Sequence, residues 1–189
     1  MLFITNFADQ AVLLPLVLAV AVALAVQGWA RGALVWLAVV GATFGVILVL
    51  KLVCLACAPL DGLLALHSPS GHVAAATVVS GGLAALLTRR RLAILPVAVL
   101  AAVVIGVSRL VLGMHSLPEV AVGAAVGLAG AAALIGLAGP PPTLKPGKLA
   151  AVVLLVAVLF HGLHLPAEAA IRHTAFRAAQ MLDVCQMRG

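Results

Sequence analysis

The chain has 189 residues, of which 65% are hydrophobic and only 8% charged, and its mean hydropathy of +1.30 excludes an ordinary soluble domain. The formal net charge of +6 does not indicate a nucleic-acid partner, because the basic residues are scattered among connections and form no basic face with interleaved aromatics. The composition predicts one integral membrane domain over residues 1–189, with no room for a separate soluble domain.

Apolar runs recur along nearly the whole chain, each long enough to cross roughly 30 Å of hydrocarbon as a helix. The opening "MLFITNFADQ" lacks the basic start of a secretory signal, so the first run is expected to be retained. The fold class predicted is an all-α, polytopic membrane bundle of about six helices. The expected spans are 11–27, 33–55, 72–88, 93–112, 118–138 and 149–165.

The last part of the chain, about 166–188, is too rich in charge for a seventh span. Ala170, Ile171 and Phe176 group loosely on one helical face, while Arg172 and Arg177 lie elsewhere. This pattern predicts an amphipathic helix at the membrane interface.

Basic residues fall in alternate short connections, at Arg31, at Arg89 to Arg91, and at Lys145 and Lys148. The positive-inside rule places these connections in the cytoplasm and both termini outside. Two polar stretches, "SPSGH" at 68–72 and "SRLVLGMHSLPE" at 108–119, are then expected on the outer side.

Charged groups near hydrocarbon depth cost several kcal/mol unless they are paired or line a wet cavity, so these stretches predict a functional site. His115 and Glu119 are four residues apart, and on one helical face the carboxylate could accept the imidazole N–H. The other ring nitrogen would then be free to attack phosphorus. Lys51, Arg109 and the "PSGH" turn at a helix N-terminus would supply cations and N–H donors for the phosphate.

"PSGH" at 69–72, followed by "SRLVLGMH" at 108–115 and an acid four residues later, resembles the second and third motifs of the type 2 phosphatidic acid phosphatase family. The resemblance covers roughly 51–135. It implies that His115 is the nucleophile that forms a phosphohistidine and that Glu119 orients and stabilises it. His72 would protonate the leaving lipid oxygen and then activate water. The resemblance implies that no metal or other cofactor is needed. The phosphate-binding residues that it implies are Lys51, Ser70, Gly71, Ser108 and Arg109.

The sequence departs from that family at two positions. Ala58 stands where the first motif has an arginine, and Glu119 replaces the usual aspartate, adding one methylene. His67, or Arg172 or Arg177 from the tail, could supply the missing positive charge.

The resulting expectation is a phosphatase that acts on a lipid phosphate or diphosphate at the outer face of a bacterial inner membrane. Phosphatidic acid, phosphatidylglycerol phosphate, a polyprenyl diphosphate and a lipid A phosphate all fit, and the expected partners are this substrate and membrane lipids. Two alternatives stay open: a lipid phosphotransferase, and a non-catalytic binder or transporter of a carrier lipid.

Two pairs of residues, one of cysteines and one of histidines, have spacings that suit either simple packing or a metal site. Cys54 and Cys57 form C-x-x-C, and His161 and His164 form H-x-x-H, spacings that suit a metal or, for the cysteines, a redox pair. Neither has further ligands nearby, so buried packing is expected for the cysteines and an interfacial position for the histidines.

Overall fold

The computed structural model describes residues 6–56, 66–139 and 144–163, together with 169–171, 173, 174 and 177 of the tail. Every regular element in these ranges is helical, as the composition predicted. A 3-10 turn, Arg91–Ala93, precedes the fourth helix. The helices are α1 (Gln10–Val26), α2 (Ala30–Ala56), α3 (Gly71–Thr88), α4 (Ile94–Val111), α5 (Leu117–Leu137) and α6 (Pro146–Phe160).

Four of the helical segments, those that contain α2 to α5, are long and apolar enough to cross a membrane. The first and last helices are apolar but shorter, with 17 residues in α1 and 15 in α6. At 1.5 Å per residue, α6 is only about 22 Å long. Its predicted end at 165 is wrong, because the helix stops at Phe160 and Gly162 follows with a positive φ of 85°.

The third helix lies at the centre of the bundle, where it packs most closely on α4 and α5 and also contacts α1, α2 and α6. Close approach depends on glycine, since a Cβ on Gly127 of α5 would lie 2.7 Å from the carbonyl oxygen of Ala74 in α3. A tryptophan ties the first two helices together, because Trp36 Nε1 donates to the carbonyl oxygen of Val17 at 3.0 Å.

The basic connections meet at one end of the bundle. Arg89 donates to the carbonyl oxygen of Leu144, and the Lys145 N–H donates to Gln27 Oε1 at 2.7 Å. The stretches around Ser70 and His115 lie at the opposite end, as the alternation of basic loops indicated.

The described residues of the tail are helical, and Thr174 Oγ1 donates to the carbonyl oxygen of Ala170 at 2.9 Å. Ile171 is half-buried, whereas Arg177 is exposed. The rest of the expected helix over 166–188, including Arg172, lies outside the described residues.

Candidate active site

The site is assembled around the start of α5, which the sequence "SLPE" specifies locally. Ser116 is the N-cap, and Glu119 is the third helical residue, so their side chains and backbone N–H groups pair reciprocally in a capping box. Ser116 N–H donates to Glu119 Oε2 at 2.9 Å. The carboxylate is thereby turned back towards the residues that precede the helix.

Glu119 also binds the connection that leads into α3. Its Oε1 accepts the backbone N–H groups of His67 at 3.1 Å and Ser68 at 2.7 Å. The side chain is buried, at 6% exposure, and both carboxylate oxygens are used. The longer glutamate therefore links two distant segments, and each of its oxygens has its own set of donors.

His115 lies just before the capping residue, and its Nδ1 is 3.0 Å from Glu119 Oε2. The interaction does not arise from a shared helical face, as the spacing suggested, because His115 precedes the helix and the capping box directs the glutamate towards it. A carboxylate can only accept, so Nδ1 carries the proton and Nε2 keeps the lone pair. The spacing thus led to the right hydrogen bond through the wrong geometry.

Burial lowers the pKa of His115 below its ordinary value of 6.5. The hydrogen bond to Glu119 opposes this shift, whereas the positive charges of Arg109 and Lys51 lower the pKa further. The imidazole is therefore neutral at neutral pH, which is the form that can act as a nucleophile.

Lys51 brings a buried ammonium group to the same end of the bundle. Its exposure is only 3%, and Nζ donates to Ser68 Oγ at 3.0 Å. The stem lies against the start of α3, since a Cβ on Gly71 would be 3.5 Å from Lys51 Cε. The cation is thus fixed beside the "PSGH" turn.

The turn itself is held by α5. Ser70 N–H donates to the carbonyl oxygen of Glu119 at 3.0 Å, and a Cβ on Gly123 would overlap the carbonyl oxygen of Ser70. Ser70 is the N-cap of α3 but makes no side-chain capping bond, and its buried Oγ has no hydrogen-bond partner in the described part of the chain. This hydroxyl and the first-turn N–H groups of α3 form a donor set suited to an anion.

The end of α4 contributes Ser108 and Arg109, both buried. Ser108 Oγ donates its proton to the carbonyl oxygen of Ile105 at 2.7 Å, so in this geometry the hydroxyl offers no donor to a phosphate. The guanidinium of Arg109 is close enough to act electrostatically on both His72 and His115. Arg109 therefore adds positive charge to the site.

His72, the second residue of α3, faces a carboxylate that the sequence reasoning missed. Its Nε2 lies 3.9 Å from Oδ2 of Asp9, the residue that caps α1. The signal was present in the sequence, because an aspartate directly before an apolar run marks a helix start. Nothing local, however, indicates that this helix start lies beside His72.

A family model described as the PAP2 superfamily matches residues 13–139, which is more than half of the chain. The chain belongs to the PAP2 superfamily. Neither the curated proteins nor the solved structures include a match to it.

PAP2 proteins are phosphatases, and the matched range includes Lys51 and all the site residues from "PSGH" to Glu119. Asp9 precedes that range. The family resemblance expected from the two motifs is therefore confirmed, while the role of each residue stays a proposal.

The C-x-x-C and H-x-x-H spacings are described only in part. Cys54 is buried, and His161 packs its ring against Phe7 with centroids 4.5 Å apart. Among the described residues no cluster of three histidine, cysteine or acidic side chains could hold a metal ion. Cys57, Ala58, His164 and Arg172 lie outside the described residues, as does Phe176.

Proposed function

We propose that this PAP2 protein is a lipid phosphate or diphosphate phosphatase that works through a phosphohistidine at His115. The observation that carries the proposal is the contact between His115 Nδ1 and Glu119 Oε2, which fixes the tautomer and leaves Nε2 as the nucleophile. Glu119 is held in turn by three backbone N–H groups, so the imidazole is oriented by a rigid carboxylate.

In the first half-reaction Nε2 of His115 attacks phosphorus, and the bond from phosphorus to the lipid oxygen breaks. The leaving oxygen takes a proton from His72. Positive charge that develops on the attacked imidazole is balanced by Glu119 across the Nδ1 hydrogen bond.

In the second half-reaction water attacks the phosphohistidine, and the phosphorus–nitrogen bond breaks. His72, now neutral, accepts the proton of that water, which returns both histidines to their starting forms. Inorganic phosphate is the product. The same acid and base thus serve both steps.

Charge on the phosphoryl oxygens is stabilised by groups that are already in place. Lys51 and Arg109 are buried cations near His115, and Ser70 Oγ with the N-terminus of α3 supplies neutral donors. Donors that do not reorganise during the reaction are the main source of transition-state stabilisation in such sites. Gly71 is the first residue of this helix, and its backbone N–H would donate to the phosphate.

A lipid substrate is supported by a cavity of about 320 Å³ that begins at Lys51 and Gly71. Its other walls are mostly apolar and come from α1, α2, α3 and the tail residues Ala170 and Ile171. A phosphate at the polar end with hydrocarbon alongside the apolar walls suits an amphiphile. With the basic connections in the cytoplasm, the site faces the periplasm of a bacterial inner membrane.

The decisive test is release of inorganic phosphate from short-chain phosphatidic acid by the purified protein. We expect turnover by the wild type and loss of more than about 99% of it in His115→Ala, with the melting temperature little changed. Brief reaction with labelled substrate should leave acid-labile, alkali-stable label on the wild type only. Activity without His115 would exclude the histidine nucleophile, and label passed to a second lipid would indicate phosphotransfer.

A further inference from the structure

The N-terminal cap of α1 extends the site beyond the two family motifs. Asp9 Oδ1 accepts the Ala11 N–H at 2.8 Å, which caps the helix, while Oδ2 lies 3.9 Å from His72 Nε2. Both side chains are largely buried, with 14% exposure for the aspartate and 26% for the histidine. One carboxylate therefore faces two groups at once, a backbone donor and an imidazole.

Burial and the neighbouring positive charges both disfavour a charged imidazole at His72. Lys51 of α2, Arg109 of α4 and His115 all act on it as positive or potentially positive groups. The positive end of the α3 helix dipole adds to them, since His72 is in the first helical turn. Among the described groups that act on His72, Asp9 is the one negative charge.

A general acid must nevertheless hold its proton until the leaving oxygen needs it. The cations that bind the phosphate are therefore in conflict with the acid, because the same charges that attract the substrate repel a protonated His72. We propose that Asp9 opposes this repulsion as the positioning residue of His72: its carboxylate stabilises the imidazolium that donates the proton. This inference rests on the proposed function, in which His72 is the acid.

Each of the two histidines then has a carboxylate partner, but the two carboxylates act in different ways. Glu119 holds a neutral His115 by a short hydrogen bond to Nδ1, whereas Asp9 opposes Nε2 of His72 at ion-pair distance. A neutral nucleophile and a charged acid are the forms that the first half-reaction needs. Each histidine therefore has its own carboxylate partner at this end of the bundle.

The test is Asp9→Asn in the full-length protein, because asparagine also caps helices and removes only the charge. Values of kcat/KM are measured for short-chain phosphatidic acid from about pH 5 to pH 9. We expect kcat/KM near neutral pH to fall tenfold or more, with the alkaline limb displaced to lower pH by about one unit or more. The sign follows because loss of the carboxylate makes the imidazolium release its proton more readily.

A second substrate separates this role from a structural one. Para-nitrophenyl phosphate has a leaving group that departs without protonation, so its kcat/KM should change less than about threefold in Asp9→Asn. Asp9→Ala, which also loses the cap, should lower the melting temperature but show the same contrast between substrates.

An unchanged pH profile in Asp9→Asn, or an equal loss on both substrates, would overturn the assignment. A failure of the proposed function would give different results. The wild type itself would release no phosphate from phosphatidic acid, or His115→Ala would release phosphate as fast as the wild type. The two ideas can therefore fail separately.

Discussion

Replacing Gly123 by alanine should damage the site without removing any side chain that would bind the substrate. A Cβ at this position would overlap the carbonyl oxygen of Ser70, which is backbone and cannot rotate away. The helix α5 and the "PSGH" turn must therefore separate, and the hydrogen bond from Ser70 N–H to the Glu119 carbonyl oxygen, 3.0 Å long, lies in the same contact. The displacement separates the phosphate-binding turn from the nucleophile.

The magnitude follows from the geometry. Relief of the overlap needs a movement of about 1 Å, and a misplacement of that size costs about a hundredfold in rate. This equals about 2.7 kcal/mol of transition-state stabilisation. Overpacking should also lower stability by about 1–3 kcal/mol.

The matched control is Gly136→Ala in the same helix, where an added Cβ would meet nothing within 4 Å. This variant should keep wild-type kcat/KM and gain up to about 1 kcal/mol from better helix propensity. Both variants are assayed for kcat/KM on short-chain phosphatidic acid and for the melting temperature in detergent. Should Gly123→Ala stay within about threefold of the control, the idea that α5 positions Ser70 for catalysis is refuted.

Three other outcomes are expected. Glu119→Gln should lower kcat/KM by about 10²- to 10⁴-fold, because an amide has one accepting oxygen and its NH2 group would face N–H donors that the carboxylate now accepts; a Glu119→Gln enzyme near wild-type activity would contradict the proposed orientation. Because the pKa of His115 is lowered, the acid limb of the kcat/KM profile should fall below pH 6.5, and a limb above this value would contradict a neutral nucleophile. In a cysteine-free background, a cysteine beside His67 should react with impermeant reagents and one beside Arg90 only with permeant ones, and the reverse result would place the site in the cytoplasm.

The sequence was informative wherever the physics is local. Apolar runs of sufficient length specified the helices, and the alternation of basic connections indicated which loops share an end. The motif order also led to the family, which the match over 13–139 confirms. The capping box was not predicted, although Ser116 and Glu119 have the required spacing.

The sequence was less informative about helix ends. The predicted extension of α6 to 165 followed the apolar composition, which continues past Phe160. The backbone reverses at Gly162, where glycine alone allows the positive φ at little cost. Hydropathy indicates whether a segment is stable in lipid, but it contains no information about the backbone conformation at which the helix ends.

What the sequence by itself determined is a helical membrane protein of the PAP2 superfamily, with its polar motifs at one end. Only the tertiary structure decided which donors meet which acceptors there. His67 and Ser68 are 52 and 51 residues from Glu119 along the chain. Asp9 precedes both α1 and α2 in the sequence, yet its carboxylate lies near His72. Local sequence fixes the hydrogen bonds within a helix, whereas contacts between helices depend on packing faces such as Gly123 against Ser70, which no single segment specifies.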